Sequence, residues 1–180
     1  AGIEISMGGQ EMLKNEAFSG LTTALYMSLL LVFMIMAAEF ESLRFSAVVM
    51  LSVPMAFSGG ILALLLTGTT LNLASLMGAV MLVGVVVNNA IVLIDRAGQN
   101  REAGMPIREA VIEAGIVRLR PIIMTTATTF LGLLPLALAI GSGTELMQPM
   151  AIISMGGLLS STLLTLLVIP CTYLISAKKK

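Results

Sequence analysis

Residues Leu71–Ile94 read LNLASLMGAVMLVGVVVNNAIVLI, a run without one charged side chain. The hydrocarbon core of a bilayer, about 30 Å thick, takes roughly 20 apolar residues of α-helix, so this run is long enough to cross it. Four more of the same kind flank it: Phe18–Ala38, Phe45–Leu66, Pro121–Ile140 and Met150–Ile175. None holds a charge in its interior, and each meets the hydropathy criterion for a span. The expected fold is therefore an all-α membrane protein built as a five-helix transmembrane bundle. Composition agrees: 57% of the 180 residues are hydrophobic, 11% are charged, and the mean hydropathy is +1.01.

The few polar groups limit what chemistry is available. Ten basic and ten acidic residues cancel and histidine is absent, which argues against a nucleic-acid partner and a histidine-based active site. The single cysteine, Cys171, excludes an internal disulfide and a multi-cysteine metal site, and packing is its expected role. Thioethers suit soft cations, yet Met27, Met34, Met50 and Met81 are scattered through apolar spans, where methionine serves as flexible filling. No catalytic residue, metal site or cofactor is expected, and the protein does not read as an enzyme.

Charge is sorted along the chain. Arg44 precedes the second span, Arg96, Arg101, Arg108, Arg118 and Arg120 lie between the third and fourth, and Lys178, Lys179 and Lys180 end the chain; only Lys14 lies elsewhere. Basic residues near span ends favour the cytoplasmic face. The expected topology places the amino terminus outside and the carboxyl terminus in the cytoplasm of a multi-pass cytoplasmic (inner) membrane protein.

Two segments outside the spans carry patterns of their own. Ile3, Ile5 and Met7 alternate with Glu4 and Ser6 before Gly8-Gly9, which fits the last strand of an extracytoplasmic domain. With no initiating methionine or signal-peptide start, the chain reads as part of something longer. Within the charged stretch Asp95–Arg120, Gly104 and Pro106 punctuate. Ile107, Ala110, Val111, Ala114 and Val117 then recur at helical spacing. The expectation is an interfacial helix over about 106–117, lying on the membrane before the fourth span. The resulting division is a remnant of an extracytoplasmic domain over 1–17, a transmembrane domain over 18–176 and a cytoplasmic tail over 177–180.

Small and polar residues inside the spans mark contacts. Ser52, Ala56 and Gly60 recur at four-residue intervals, as do Gly156 with Ser160 and Gly157 with Ser161. Such residues let helix backbones approach closely in lipid, so both helices are expected to pack tightly. Pro54, Pro135 and Pro170 remove helix hydrogen bonds and mark kinks. Asn88 and Asn89 sit mid-span between valines and aliphatic residues. A buried amide without a partner costs about 2 kcal/mol or more, so at least one must face another helix or a water-filled cavity. Thr125, Thr126, Thr128 and Thr129 form a hydroxyl-rich turn in which Thr125, Thr129 and Gly132 share a face, with Arg118 two turns away along it. Threonines can also bond their own helix backbone. Polar groups at membrane depth tend to line ion or proton pathways, which makes the two asparagines candidate pathway residues.

Three stretches together carry a family resemblance: Glu39–Leu43 (EFESL), Gly84–Asp95 (GVVVNNAIVLID) and Arg118–Thr125 (RLRPIIMT). The chain resembles the carboxyl-terminal membrane half of RND (resistance-nodulation-division) efflux permeases over nearly its whole length. The resemblance implies that this is half of a twelve-span bundle, spans eight to twelve, with residues 1–17 the trailing edge of an α+β porter domain. It further implies a homotrimeric proton antiporter of the drug and amphiphile type, completed by the missing amino-terminal half. A periplasmic adaptor and an outer-membrane channel would be its partners beyond the lipid bilayer. In the implied proton relay, two aspartates of the missing half face a lysine, an arginine and a threonine of this half. Arg118 and Thr125 stand at the arginine and threonine positions, and Asn88 stands where many drug-efflux members carry the lysine. An amide offers only neutral hydrogen bonds, so Asn88, Asn89 and Thr129 are expected to line the pathway rather than to switch charge. Two other readings are a non-export machine on the same bundle, for protein translocation or lipid handling, and a structural subunit that transports nothing.

Overall fold

The structure, a computed structural model, describes residues 8–40 and 43–177. Six helices follow in order: α1 Gly8–Glu39, α2 Leu43–Met50, α3 Ser52–Thr67, α4 Leu73–Glu102, α5 Ile107–Ala137 and α6 Gln148–Ala177. A 3₁₀ turn at Thr144–Leu146 precedes α6. Five segments are long and apolar enough to cross a membrane, with α2 and α3 sharing one of them, Ser46–Thr67. The all-α, five-span bundle is the fold.

Pro54 is the reason that the second span divides into two helices. Proline has no N–H to offer the carbonyl four residues back, which here is Met50. The backbone stays helical at Leu51, with φ −63° and ψ −23°, and Leu51 N–H still reaches the carbonyls of Ala47 and Val48 at 3.2 and 3.3 Å. At the far end Gly68 adopts φ +67° and closes α3, a left-handed conformation that glycine takes at little cost. Asn72 then starts α4 with a reciprocal cap. Its Oδ1 accepts from Ser75 N–H at 3.0 Å and its own N–H donates to Ser75 Oγ at 2.8 Å.

The layout is a bundle about α4 and α6. Helix α4 touches every other helix, and α6 packs along α3, α4 and α5. Of their most apolar stretches 56% is buried, against 6% for α1 and 11% for α5, so the last two are the outer helices. One buried cluster joins Met36 of α1, Val49 of α2, Val53 of α3, Val83, Val87 and Leu93 of α4, and Val111 and Ala114 of α5.

Several boundaries differ from expectation. Ala1–Met7, the body of the expected strand, and Lys178–Lys180 lie outside the described residues, but Gly8–Gln10 already belong to α1. Residues Gln10–Ala17 are mostly strong helix formers, which carries α1 back well before Phe18. The charged stretch Asp95–Arg120 is not a long loop. Helix α4 continues to Glu102 and α5 starts at Ile107, leaving Ala103–Pro106 as the turn. The segment expected as an interfacial helix over about 106–117 is helical from Ile107 on, but it is not separate: it forms the first turns of α5 and runs unbroken into the fourth span. Pro121 does not stop α5; it lies on an exposed face, where a proline ring meets no packed neighbour and one lost hydrogen bond is tolerated. Buried Asn100 fixes this hairpin by donating from Nδ2 to the Ala110 carbonyl at 3.2 Å.

Candidate functional site

In α4, residues 85, 88 and 89 share one side, because helical neighbours recur every three to four residues. The same spacing brings Thr125, Thr126 and Thr129 to one side of α5. The two sides meet in a cleft of about 480 Å³ lined by Gly84, Val85, Asn88, Asn89, Thr125, Thr126, Thr129 and Leu158. Asn89 is buried and Asn88 is exposed toward the open side. The structure thus brings together Asn88, Asn89, Thr125 and Thr129. Arg118 is not among the lining residues; it lies half-buried, two turns along α5 toward the Ala103–Pro106 turn.

The hydroxyl hydrogens around the cleft are largely committed. Thr125 Oγ1 donates to the Ile122 carbonyl at 2.9 Å, and Thr128, which points outward, donates to Met124 at 2.8 Å. Thr162 of α6 donates to the Leu158 carbonyl at 2.7 Å. The buried Thr126–Thr162 contact at 3.1 Å is then donated by Thr126. Thr125 and Thr126 consequently present oxygen lone pairs, while the asparagine amides bring both donors and acceptors. Such a lining holds water or passes hydrogen bonds without carrying charge itself.

Packing of α6 builds the floor of the cleft. A Cβ at Gly60 would come within 2.7 Å of Ile153 Cγ1 and 2.9 Å of the Ile153 carbonyl oxygen. One at Gly156 would meet the Gly59 carbonyl oxygen at 2.8 Å, and one at Gly157 the Ala56 carbonyl oxygen at 2.9 Å. Only glycine fits these crossings. Ser52 is buried and donates to Val49 at 2.7 Å. Ser160 reaches across to the Met55 carbonyl at 3.3 Å, and Ser161 turns back to Leu158 at 3.0 Å. Backbone-to-backbone contact of α6 with α3 and α4 sets Leu158 beneath the asparagines.

Sequence reasoning passed over Gly84, Val85, Thr126 and Leu158 as lining residues. Thr126 stood within the hydroxyl-rich turn, one residue from the face that was chosen. Gly84 and Val85 follow from the helical spacing of Asn88 and Asn89. Leu158 gives no signal of its own, since its place depends on how α6 crosses α4.

Comparison with known proteins agrees with this architecture. The sequence profile of the AcrB/AcrD/AcrF family matches residues 1–177. The multidrug resistance protein MdtC of Erwinia amylovora is 44% identical over 144 residues, 79% of this chain and 14% of that protein. The swarming motility protein SwrC of Bacillus subtilis is 37% identical over 98% of this chain and 17% of its own. The cobalt-zinc-cadmium resistance protein CzcA of Cupriavidus metallidurans is 36% identical over 99% of this chain and 17% of its own. A crystal structure of a heavy metal efflux pump superposes with a TM-score of 0.81 at 38% identity, covering 93% of this chain and 16% of that one. The chain thus spans 14–17% of the length of these relatives. With the profile matched almost end to end and the five-span bundle shared, the chain belongs to the AcrB/AcrD/AcrF family of RND permeases.

Proposed function

We propose that this chain is part of the membrane domain of a proton-driven efflux permease that exports hydrophobic or amphiphilic compounds such as drugs. One observation carries the reading: in an otherwise apolar bundle, α4 and α5 converge Asn88, Asn89, Thr125 and Thr129 on one cleft. Neutral amides and hydroxyls at membrane depth suit a water-filled proton path. Moving one charge through the membrane potential yields about 2.3 kcal/mol per 100 mV, enough to concentrate a neutral substrate by more than about tenfold. No acidic side chain lies in the cleft, so the acid that takes up the proton belongs to the rest of the protein. The full permease is a homotrimer in the cytoplasmic membrane, with the amino terminus of this piece outside, working with a periplasmic adaptor and an outer-membrane channel.

Metal-ion export is the second reading, favoured by the likeness to CzcA at 36% identity. The test uses the full-length permease in a host stripped of its own pumps. Asn88→Ala at unchanged membrane level is expected to lower resistance to amphiphilic drugs. Unchanged drug efflux would refute the role of the cleft, and protection against cobalt or zinc without protection against drugs would replace the substrate class.

A further inference from the structure

Helix α5 is the loosely held side of the cleft. Beyond Ala114 its buried residues are Ile122 and Thr126, and only 11% of its most apolar stretch is buried. Apolar burial adds little between helices in lipid, so polar contacts across helices carry more of their placement. Side-chain hydrogen bonds fasten α5 at both ends. Asn100 Nδ2 donates to the Ala110 carbonyl at 3.2 Å, and Gln148 Nε2 donates to the Ala137 carbonyl at 2.9 Å. Between these ends, level with the cleft, the buried Thr126 and Thr162 hydroxyls meet at 3.1 Å.

Helical geometry shows what this bond fixes. At 3.6 residues per turn, each residue advances about 100° around the axis. Thr125, Thr129 and Thr126, in that order, fall within an arc of about 100° that faces the cleft. Ile123, Ala127, Phe130 and Leu131 occupy the next arc and, with Leu159 and Leu163 of α6, line an apolar groove of about 440 Å³. Thr126 lines both spaces, so the Thr126–Thr162 pair stands on the boundary between them. A turn of α5 by about 50°, half of one residue step, would carry Thr125 or Thr126 off the cleft. The direction of the bond matters as well. Thr162 commits its own proton to the Leu158 carbonyl at 2.7 Å, so Thr126 donates to Thr162 and turns only lone pairs to the cleft.

We propose that Thr162 is a positioning residue for the cleft. It does not line the cleft itself. By accepting from Thr126 it sets the rotation of α5, and with it the presentation of Thr125 and Thr129 to Asn88 and Asn89. The inference rests on the proton-path reading above and extends the working residues of that path to α6. Valine in place of Thr162 keeps the shape and removes the acceptor, which leaves the Thr126 hydroxyl to turn back on its own helix. Serine keeps the acceptor and drops one methyl group.

Two readouts on the full-length permease test this. In a form otherwise free of cysteine and carrying Thr129→Cys, labelling by a small water-soluble methanethiosulfonate reports where α5 points. Thr162→Val is expected to change the labelling rate by about threefold or more, and Thr162→Ser to leave it near the unsubstituted rate. In vesicles of the permease without Thr129→Cys, the proton flux induced by an amphiphilic dye is the second readout. It should fall about fivefold per molecule in Thr162→Val, roughly what one hydrogen bond is worth in an equilibrium, and stay near wild type in Thr162→Ser. Thr126→Val/Thr162→Val should do no worse than Thr126→Val alone, because both changes remove the same bond. Wild-type labelling or wild-type flux in Thr162→Val, failure of serine to rescue, or losses that multiply would overturn the proposal. A Thr162→Val protein that only unfolds at lower temperature, with labelling and flux per folded molecule intact, would show a purely structural bond and overturn it too. A wild-type permease without dye-induced proton flux would refute the proton-driven reading instead, and the labelling comparison would still decide whether Thr162 positions α5.

Discussion

A methyl group added at Gly157 would meet the Ala56 carbonyl oxygen and Leu82 Cδ1, each at 2.9 Å. The first of these is backbone and cannot rotate away. Overfilling such a crossing costs typically about 1–3 kcal/mol, so Gly157→Ala in the full permease should lower its thermal unfolding temperature in detergent. Gly115, equally helical, has open space on its Cβ side, with nothing within 4 Å of an added methyl group. Gly115→Ala should be neutral or stabilising by up to about 1 kcal/mol, because alanine is the better helix former. At this scale the sequence was informative wherever chemistry contrasted with surroundings. Paired amides among valines, and glycines spaced by four from serines, stand out without a structure. Leu158 and Val85 do not, because a leucine lining a cleft and a leucine facing lipid look alike until the helices are placed. Arg96 was counted only as a basic residue near a span end, and the burial of its Nε is visible only in the folded chain.

The spans themselves were legible because an apolar run of about 20 residues has one common explanation. Their ends were less so. Asp95–Glu102 read as part of the connection and about 106–117 as an interfacial helix apart from the fourth span, yet α4 and α5 have 30 and 31 residues, long enough to project beyond a bilayer crossing. Gly104 and Pro106 did mark the place where the chain reverses. Helix α4 also begins with a strong local signal, the Asn72–Ser75 cap. Removing it with Asn72→Ala should destabilise the bundle by about 1 kcal/mol, and amide hydrogen exchange should rise first in the opening turn, at Ala74, Ser75 and Leu76. Uniform protection across that turn in the variant would show that tertiary packing, not the cap, holds the start of α4.

Across the whole molecule, the inner pair α4 and α6 is covered by this chain and the outer helices α1 and α5 are not, which is the surface pattern of one part of a larger bundle. We propose from the sorting of basic residues that the Ala103–Pro106 turn faces the cytoplasm and the start of α1 the outside. In a full-length permease carrying Cys171→Ser, Met105→Cys should react with a membrane-impermeant thiol reagent only from the cytoplasmic side, and Asn15→Cys only from outside. Labelling of both from one face would reverse or break the topology. The functional reading turns on proton movement and export being coupled through the Asn88–Thr125 cleft. Substrate-induced proton flux reports on that coupling without an intermediate step, followed with a pH-sensitive dye in membrane vesicles carrying the full-length permease. An amphiphilic substrate should trigger proton flow through the wild-type protein, and Asn88→Ala, at equal protein level, should lose most of it. Export without proton flow, or undiminished flow in Asn88→Ala, would contradict the coupling.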